Sequence, residues 1–320
     1  MNKNIIIGVD IGGTTVKIGI LQSTGEIIEK WEIETTKSND GKIVIDQIWS
    51  SVLAKLTTLE LDTNDVLGIG IGAPGFIDGE NGYVYEAVNI GWKEFNLRDY
   101  MTSKTGLPVY VENDANIAAL GENWLGAGHK AKDVIAVTLG TGVGGGIIAK
   151  GKILNGINGT AGEIGHIIVD PNGYACNCGR TGCLETIASA TGVVRQAMKI
   201  IENKPSSPLA LQYAQNGKIT SKLIFDLAKQ GDKDCNHIID YTANTLGMAL
   251  ANLAVTINPS MILIGGGMSN AGEQLLQPIK DSFTKYALRR TSEACEIKIA
   301  ELGNDAGIIG AAYLVQQNLA

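Results

Sequence analysis

The chain has 320 residues, of which 44% are hydrophobic, 5% aromatic and 41 glycine. That composition fits one large or two medium globular domains rich in tight turns, and it excludes a disordered chain. A formal net charge of −7 and the lack of any basic run argue against a nucleic-acid partner.

The N-terminal segment "MNKNIIIGVDIGG" does not read as a signal peptide, because its apolar run is short and broken by glycine and aspartate. "NIIIGVD", "TVKIGILQ" and "GEIIEKWEIET" are expected to be three strands of a meander. The turn "SNDG" precedes "KIVIDQIWSSVLAKLTTL", whose apolar residues recur at helical spacing. "VLGIGIG" reads as a strand, "APGFIDGENGY" as turn-rich, and "NLRDYMTSK" as a helix ending before Gly106. "LPVYVEN" then reads as a strand, and "DANIAALGENWLG" as a helix with Asp114 near its cap.

The second half repeats this order. "DVIAVTLG" and "GIIAKGKIL" are expected strands around the turn "TGVGG", followed by an irregular cysteine segment. Helices are expected at "SATGVVRQAMKIIEN", "SKLIFDLAKQ" and "DCNHIIDYTANTLGMALANLAVTIN". "MILIGGG" reads as a strand with a glycine turn and "AGEQLLQPIKDSFTKYAL" as mostly helix. "CEIKIAEL" is a strand and "DAGIIGAAYLVQQ" a last helix. The longest apolar stretch, Leu246 to Ile257, is broken by Asn252 and ends before Pro259, so no membrane span is expected. A cytoplasmic protein with reduced thiols follows as the expectation. Strands in hairpin groups that then alternate with helices, twice over, predict a duplicated two-lobed α/β architecture.

Gly140, Gly142 and Gly145 match G-x-G-x-x-G, and so do Gly70, Gly72 and Gly75. A dinucleotide site needs a strand before the loop and a helix after it, and neither glycine run is followed by a helical pattern. No Walker-type phosphate loop occurs. The loops nevertheless suit phosphate. In "DIGGTTVK", Gly12 and Gly13 allow close backbone approach, Thr14 and Thr15 offer hydroxyls, Lys17 a cation, and Asp10 a carboxylate for hydrated Mg²⁺. "LGTGVGGG" offers a second such turn with Thr141 and Gly142. Taken singly, each could be no more than a tight hairpin turn.

"DIGGT", "LGTGVGGGII", "GTAGEIGH", "CNCGRTGCLE" and "LIGGG" together resemble the ROK family of sugar kinases and sugar-responsive repressors. The resemblance runs from Ile7 to about Leu314, and it is nearest to the glucokinases of that family. It implies the actin/hexokinase/Hsp70-like (ribonuclease H-like) fold, with two α/β lobes and a cleft between them. The small lobe would hold 1–117 plus 304–320. The large lobe would hold 118–303 and carry the metal motif. ATP with Mg²⁺ would lie against both phosphate loops, with Gly265 and Gly266 approaching the adenosine. The lobes would close on sugar, excluding water from the transferring phosphate.

The same resemblance makes Asp114 the base that accepts the proton of the sugar 6-hydroxyl. In phosphoryl transfer, positioning and electrostatics do most of the remaining work. An isolated Asn-Asp pair would otherwise read as a helix cap. Asn113, Glu163, His166, Glu185 and Gly75 match the sugar-holding residues, since carboxylates and imidazole can chelate neighbouring hydroxyls.

The segment Cys-x-Cys-Gly-x-x-Gly-Cys follows His166 by ten residues. Cys176, Cys178, Cys183 and His166 make a closed tetrahedral set suited to structural Zn²⁺. A disulfide and a redox pair are the competing readings. A reducing compartment argues against the first, and the missing C-x-x-C spacing against the second. Metal on one nitrogen of His166 would fix the other toward the sugar. The resulting expectation is an ATP-dependent glucokinase, with another ROK hexose kinase (for N-acetylmannosamine, fructose or allose) as the alternative within the class. A sugar-responsive regulator is the remaining alternative; only nine residues precede Asp10, which leaves no room for the family's helix-turn-helix domain. No nucleic acid and no membrane are expected as partners, and the resemblance implies a homodimer.

Overall fold

The computed structural model describes residues 4–37 and 41–319. Ser38, Asn39 and Asp40, read from the sequence as part of a turn, lie outside the described residues. The chain divides into two compact units. The first holds Met1–Lys130, Gly146–Gly162 and Leu302–Ala320; the second holds Ala131–Gly145 and Glu163–Glu301.

The first unit opens with β1 (Ile5–Ile11), β2 (Thr15–Gln22) and β3 (Ile27–Glu34), an antiparallel meander. Then come α1 (Lys42–Thr58), β4 (Val66–Ala73), β5 (Phe76–Asp78), β6 (Tyr83–Ala87), β7 (Trp92–Asn96), α2 (Leu97–Thr105), β8 (Val109–Asn113) and α3 (Asp114–Leu125). The principal sheet has the order β3-β2-β1-β4-β8, with β4 parallel to both β1 and β8. Strand alternation gives this sheet two buried faces. Ile5, Ile7, Val9 and Ile11 point to one core with Ile45, Ile48 and Val52 of α1. Ile6 and Leu21 point to the other core with Trp124 and the C-terminal helix residues Ile308, Ala312 and Val315.

The alternation of "VLGIGIG" has a packing reason. Ile69 and Ile71 enter the first core. Side chains at Gly68, Gly70 and Gly72 would strike Val315, the backbone of Ala311 and Ile117 respectively. Glycine on that face lets two helices lie directly on the sheet.

The second unit and its continuation carry β9 (Val134–Leu139), β10 (Val143–Ala149), β11 (Lys152–Ile153), α4 (Glu185–Ala188), α5 (Ala190–Asn203), α6 (Pro208–Asn216), α7 (Ser221–Lys229) and α8 (Lys233–Ile257). After these come β12 (Met261–Gly265), α9 (Glu273–Tyr286), α10 (Arg289–Ala294) and β13 (Glu296–Ile299). The last helix, α11 (Ala306–Leu319), belongs to the first unit. The second sheet runs β11-β10-β9-β12-β13, with β12 parallel to β9 and β13 and a β10–β11 antiparallel hairpin. In both sheets two crossover strands are added beside the first strand of the group, which is the duplication the sequence order predicts.

Several features differ from the sequence reading, among them the short helices α4 and α10, which no periodicity announces, and the division of "GIIAKGKIL" between β10 and β11. The "turn-rich" stretch after Ala73 contains β5, which forms a small three-stranded sheet with β6 and β7. Strands of three and five residues separated by glycine turns are too short to show a period. Helix α6 went unread although Ser207 caps it, Pro208 opens it and Gly217 closes it. The turn "TGVGG" is shorter than its composition suggests, because β10 already begins at Val143.

Candidate active site and metal centre

The parallel strands of the first unit end at one edge of its sheet. Asp10 pairs in register with Gly72, and Ala73 with Asn113. The carboxyl ends of β1, β4 and β8 therefore bring together Asp10, the Gly72–Gly75 turn and the Asn113–Asp114 pair. Open α/β sheets bind ligands at that edge.

Asp10 faces Lys17 across the β1–β2 ladder. A side chain at Gly307, in the first turn of α11, would strike the Asp10 carboxylate. Burial raises the Asp10 carboxyl above its ordinary value, and the Lys17 ammonium partly opposes this. Between Asp10 and Lys17 the chain turns tightly. Gly12 N–H donates to Thr15 O at 2.9 Å, and the Thr35 hydroxyl donates to Gly12 O at 2.8 Å. Lys17 Nζ lies 3.4 Å from Asn304 Oδ1. Gly13, Thr14 and Thr15 complete this hairpin, a backbone concavity of the kind that cradles phosphate.

Asn113 caps α3, its Oδ1 accepting from Ala115 N–H at 2.8 Å and Asn116 N–H at 3.3 Å. Its Nδ2 donates to Gly75 O at 3.0 Å. Gly75 has φ of 96°, and a side chain there would strike Glu86 O, so only glycine fits this turn. Asp114 is the first residue of α3, and its Oδ1 accepts Ala115 N–H at 2.9 Å. The helix cap therefore falls on Asn113, with the Asp114 carboxylate beside it at the start of α3.

In the second unit the Thr141–Gly142 hairpin and the Gly265–Gly266 turn lie at the carboxyl ends of β9 and β12, where Gly265 pairs with Thr138. Gly140 N–H donates to Gly142 O at 3.0 Å, closing the hairpin, and the Thr141 side chain is exposed. Gly266 adopts φ of 82° and a side chain there would sit 2.6 Å from Leu139 N, so the two turns nest against each other. This is a second phosphate-type cradle with a glycine wall beside it.

The cysteine segment lies in the same unit. Cys178 Sγ and Cys183 Sγ are 3.6 Å apart, and Cys176 Sγ lies 3.7 Å from His166 Nδ1. All four ligand atoms lie within 4.8 Å of one another. A tetrahedral zinc ion with bonds near 2.3 Å to sulfur places neighbouring ligand atoms about 3.7 Å apart. The residues therefore fit structural zinc, and the five cysteines described are free of disulfides. Gly179 and Gly182 both sit at positive φ, 84° and 77°, which folds the segment back on itself. The paired bridges Ile168–Cys183 and Ala175–Thr181 close the knot.

Burial, and then the hydrogen bond from its thiol to Glu185 Oε1 at 3.0 Å, push Cys176 up to about 12. Donation from the Arg180 backbone brings Cys178 down to about 6. Burial also raises Cys183. Arg180, which the sequence reading did not single out, donates from Nη2 to His166 O at 3.0 Å.

His166 uses Nδ1 on the cysteine side, and its Nε2 lies 4.0 Å from Glu163 Oε2. Its Nδ1 is 3.9 Å from Glu185 Oε1. Metal on Nδ1 would leave Nε2 directed to the Glu163 side, as the two-nitrogen expectation requires. Burial raises the Glu163 carboxyl, with His166 lowering it and Glu185 raising it further. A side chain at Gly142 would lie 2.7 Å from Glu185 Oε2, so Glu185 stands between the metal ligands and the phosphate hairpin. The structure thus gathers Gly75, Asn113 and Asp114 in one unit, and Glu163, His166 and Glu185 in the other.

The ROK family model matches residues 6–318. The chain is 51% identical to a glucokinase of Halalkalibacterium halodurans, covering 99% of this chain and 96% of that protein. It is 38% identical to a glucokinase of Thermotoga maritima, covering 100% and 99%. A crystal structure of a ROK family glucokinase from Streptomyces griseus, in complex with glucose and AMPPNP, superposes with a TM-score of 0.76. It shares 38% identity over 98% of this chain and 99% of that one. With a family model spanning nearly the whole sequence and relatives matched end to end, the chain belongs to the ROK family.

Proposed function

We propose that the chain is an ATP-dependent glucokinase, transferring the terminal phosphoryl group of ATP to the 6-hydroxyl of glucose to give glucose 6-phosphate and ADP. The observation that carries this is full-length likeness to glucokinases, one of them crystallised with glucose and AMPPNP, at 51% and 38% identity. The geometry supports it with an aspartate at a strand-to-helix junction, on the same sheet edge as a phosphate-type hairpin.

Asp114 is read as the general base. It accepts the hydroxyl proton as the oxygen attacks phosphorus, and Asn113 and Gly75 orient the sugar beside it. Glu163, His166 and Glu185 are read as further hydroxyl partners; a site built to bond a particular hydroxyl rejects sugars lacking it. Asp10 and Lys17, with the backbone of Gly12–Thr15, suit a Mg-bound polyphosphate, whose charge Mg²⁺ would neutralise. Thr141, Gly142, Gly265 and Gly266 are assigned to the nucleotide on the same grounds. His166, Cys176, Cys178 and Cys183 would hold zinc, which would supply a fixed imidazole orientation.

No helix among the described residues is long and apolar enough to cross a membrane. A cytoplasmic homodimer without a nucleic-acid partner belongs to the same proposal and is carried by the family resemblance. So does a functional division into lobes 1–117 with 304–320 and 118–303.

A coupled ADP-release assay across glucose, mannose, fructose and N-acetyl sugars tests the reading. Glucose should give the highest kcat/KM; a preference for an N-acetyl sugar would move the chain to another kinase of the family. D114N should keep glucose binding and lose at least about a hundredfold in kcat, within the usual range for general-base catalysis. An unaltered rate would remove Asp114 from its role.

A further inference from the structure

Strand β8 carries a glutamate that neither the phosphate hairpins nor the metal cluster uses. Glu112 is 3% exposed. Its hydrogen bonds come from amides. Oε1 accepts the backbone N–H of Asn113 at 2.8 Å and Nδ2 of Asn116 at 3.0 Å, and Oε2 accepts Nδ2 of Asn155 at 2.8 Å. Asn116 Nδ2 also reaches Asn155 Oδ1 at 3.2 Å. A side chain at Gly79 would lie 2.6 Å from Glu112 Oε2 and 2.7 Å from Asn155 Nδ2, so a third chain segment closes over the group.

The polarity of this network is fully determined. Three donors converge on two oxygens, and a carboxylate is the side chain that accepts at both. Neither amide can be turned over. Asn155 already presents its oxygen to Asn116 and its nitrogen to Glu112. Asn113 has its peptide N–H held by the same carboxylate that holds Asn155, while its own side chain caps α3 and binds Gly75 O. Asn155 in turn begins the segment that leads through Gly162 to Glu163. One buried carboxylate therefore joins the two stretches of chain that lead into candidate sugar-holding residues.

We infer that Glu112 is a positioning residue for the transfer reaction: it fixes the Asn113–Asp114 junction and the Asn155 segment in one mutual arrangement by accepting from both. This rests on the reading of Asn113 as a sugar partner and Asp114 as the base. Glu112 touches neither substrate in this scheme. Its effect passes through the peptide of Asn113 and the side chain of Asn155.

The network provides its own test. In E112Q an amide NH₂ meets the NH₂ of Asn155, donor against donor. In N155D two carboxylates meet. In the double variant E112Q/N155D the introduced glutamine donates to the introduced aspartate and every hydrogen bond is restored, with the negative charge moved by one residue. Steady-state kinetics with glucose and with ATP should show each single variant losing about tenfold to a hundredfold in kcat/KM for glucose, the scale of one charge-assisted hydrogen bond. The KM for ATP should stay within about twofold, and the double variant should return to within about fivefold of the native enzyme. Native-like E112Q overturns the inference. So does a double variant no better than either parent, or a loss that disappears once rates are divided by the folded fraction of each variant measured by circular dichroism and active-site titration, since that reports only less folded enzyme. If E112Q is insoluble, N155D against the double variant decides the matter by the same recovery. D114N, run alongside, separates the two readings. Turnover surviving in D114N sinks the base assignment. An inactive D114N beside a native-like E112Q sinks only the role of Glu112.

Discussion

At the scale of one residue, Asp10 is a carboxyl buried against its preference for water. Its carboxyl is raised from 3.8 because burial between β1 and the first turn of α11 penalises the charged form more than Lys17 rewards it. A carboxyl with a raised folded value favours the folded state in its neutral form. That advantage is complete below 3.8 and is lost as pH rises through the folded value. Asp10→Asn removes the penalty. The variant should melt no higher than the native protein near pH 4 and measurably higher at pH 7, where the native carboxylate is buried charged. Its kcat should fall by on the order of a hundredfold if Asp10 helps hold the metal-bound phosphates. Thermal melts at both pH values, paired with kinetics, check this; equal melting gaps at the two pH values would show that the burial penalty is not operating. Asp10 is legible in the sequence as a candidate ligand, because "DIGGT" runs from the end of an apolar strand into a glycine turn. Nothing along the chain announces its contact with Gly307, which is 297 residues away by chain number. Glu112 was passed over for the opposite reason: a glutamate beside "ND" is unremarkable until burial and three amide donors are seen around it.

At the scale of elements, the metal segment and the α3–α11 pair make separable claims. From Asp170 to Gly182 the only apolar side chains besides the cysteines are Pro171, Tyr174 and Ala175, so a bound ion is what would hold that stretch. Cys178→Ala, or chelation of the native protein, should weaken glucose binding at least about tenfold, because second-group partners of a metal site typically shift affinity by 10–100-fold when disturbed. Binding of a non-hydrolysable ATP analogue should change by less than about twofold. Calorimetry with each ligand measures both, and undiminished glucose affinity after verified metal loss would falsify the coupling.

Helix α11 crosses α3 at very close range, since a side chain at Gly310 would strike Ile117 O and one at Gly121 would strike Ala306 O. Gly310→Ala must push the helices apart. It should cost about 1–3 kcal/mol, the usual scale of overpacking, read as a lower urea midpoint with an unchanged m value. Helix α11 was legible as a helix from its apolar run. Its partner was not, because glycine carries no pattern that says which backbone approaches it.

At the scale of the molecule, the duplicated order of strands was legible because a run of β-rich segments precedes the crossover helices twice, three in the first half and two in the second. Sheet order β3-β2-β1-β4-β8 and its counterpart β11-β10-β9-β12-β13 turn that repetition into two similar sheet edges. The chemistry those edges present was readable: hydroxyls, glycines and a cation at one turn, and an Asn-Asp pair at another. The chain returns to its first unit through Gly146–Gly162 and again from Leu302. This is why residues as distant as Asn155 and Glu112, or Lys17 and Asn304, share hydrogen bonds.

Along the chain alone, the α/β class, the repeated plan and a histidine–cysteine set suited to zinc are already legible. These are written in residue type and short spacing, and physical chemistry acts on both locally. Only the tertiary structure decided that Asn113 rather than Asp114 supplies the α3 cap and that Nδ1 of His166 faces the cysteines. It alone placed a buried glutamate as the joint between two chain segments. Each of those depends on donors and acceptors brought together by long-range folding, where direction matters as much as composition and no spacing along the chain encodes it.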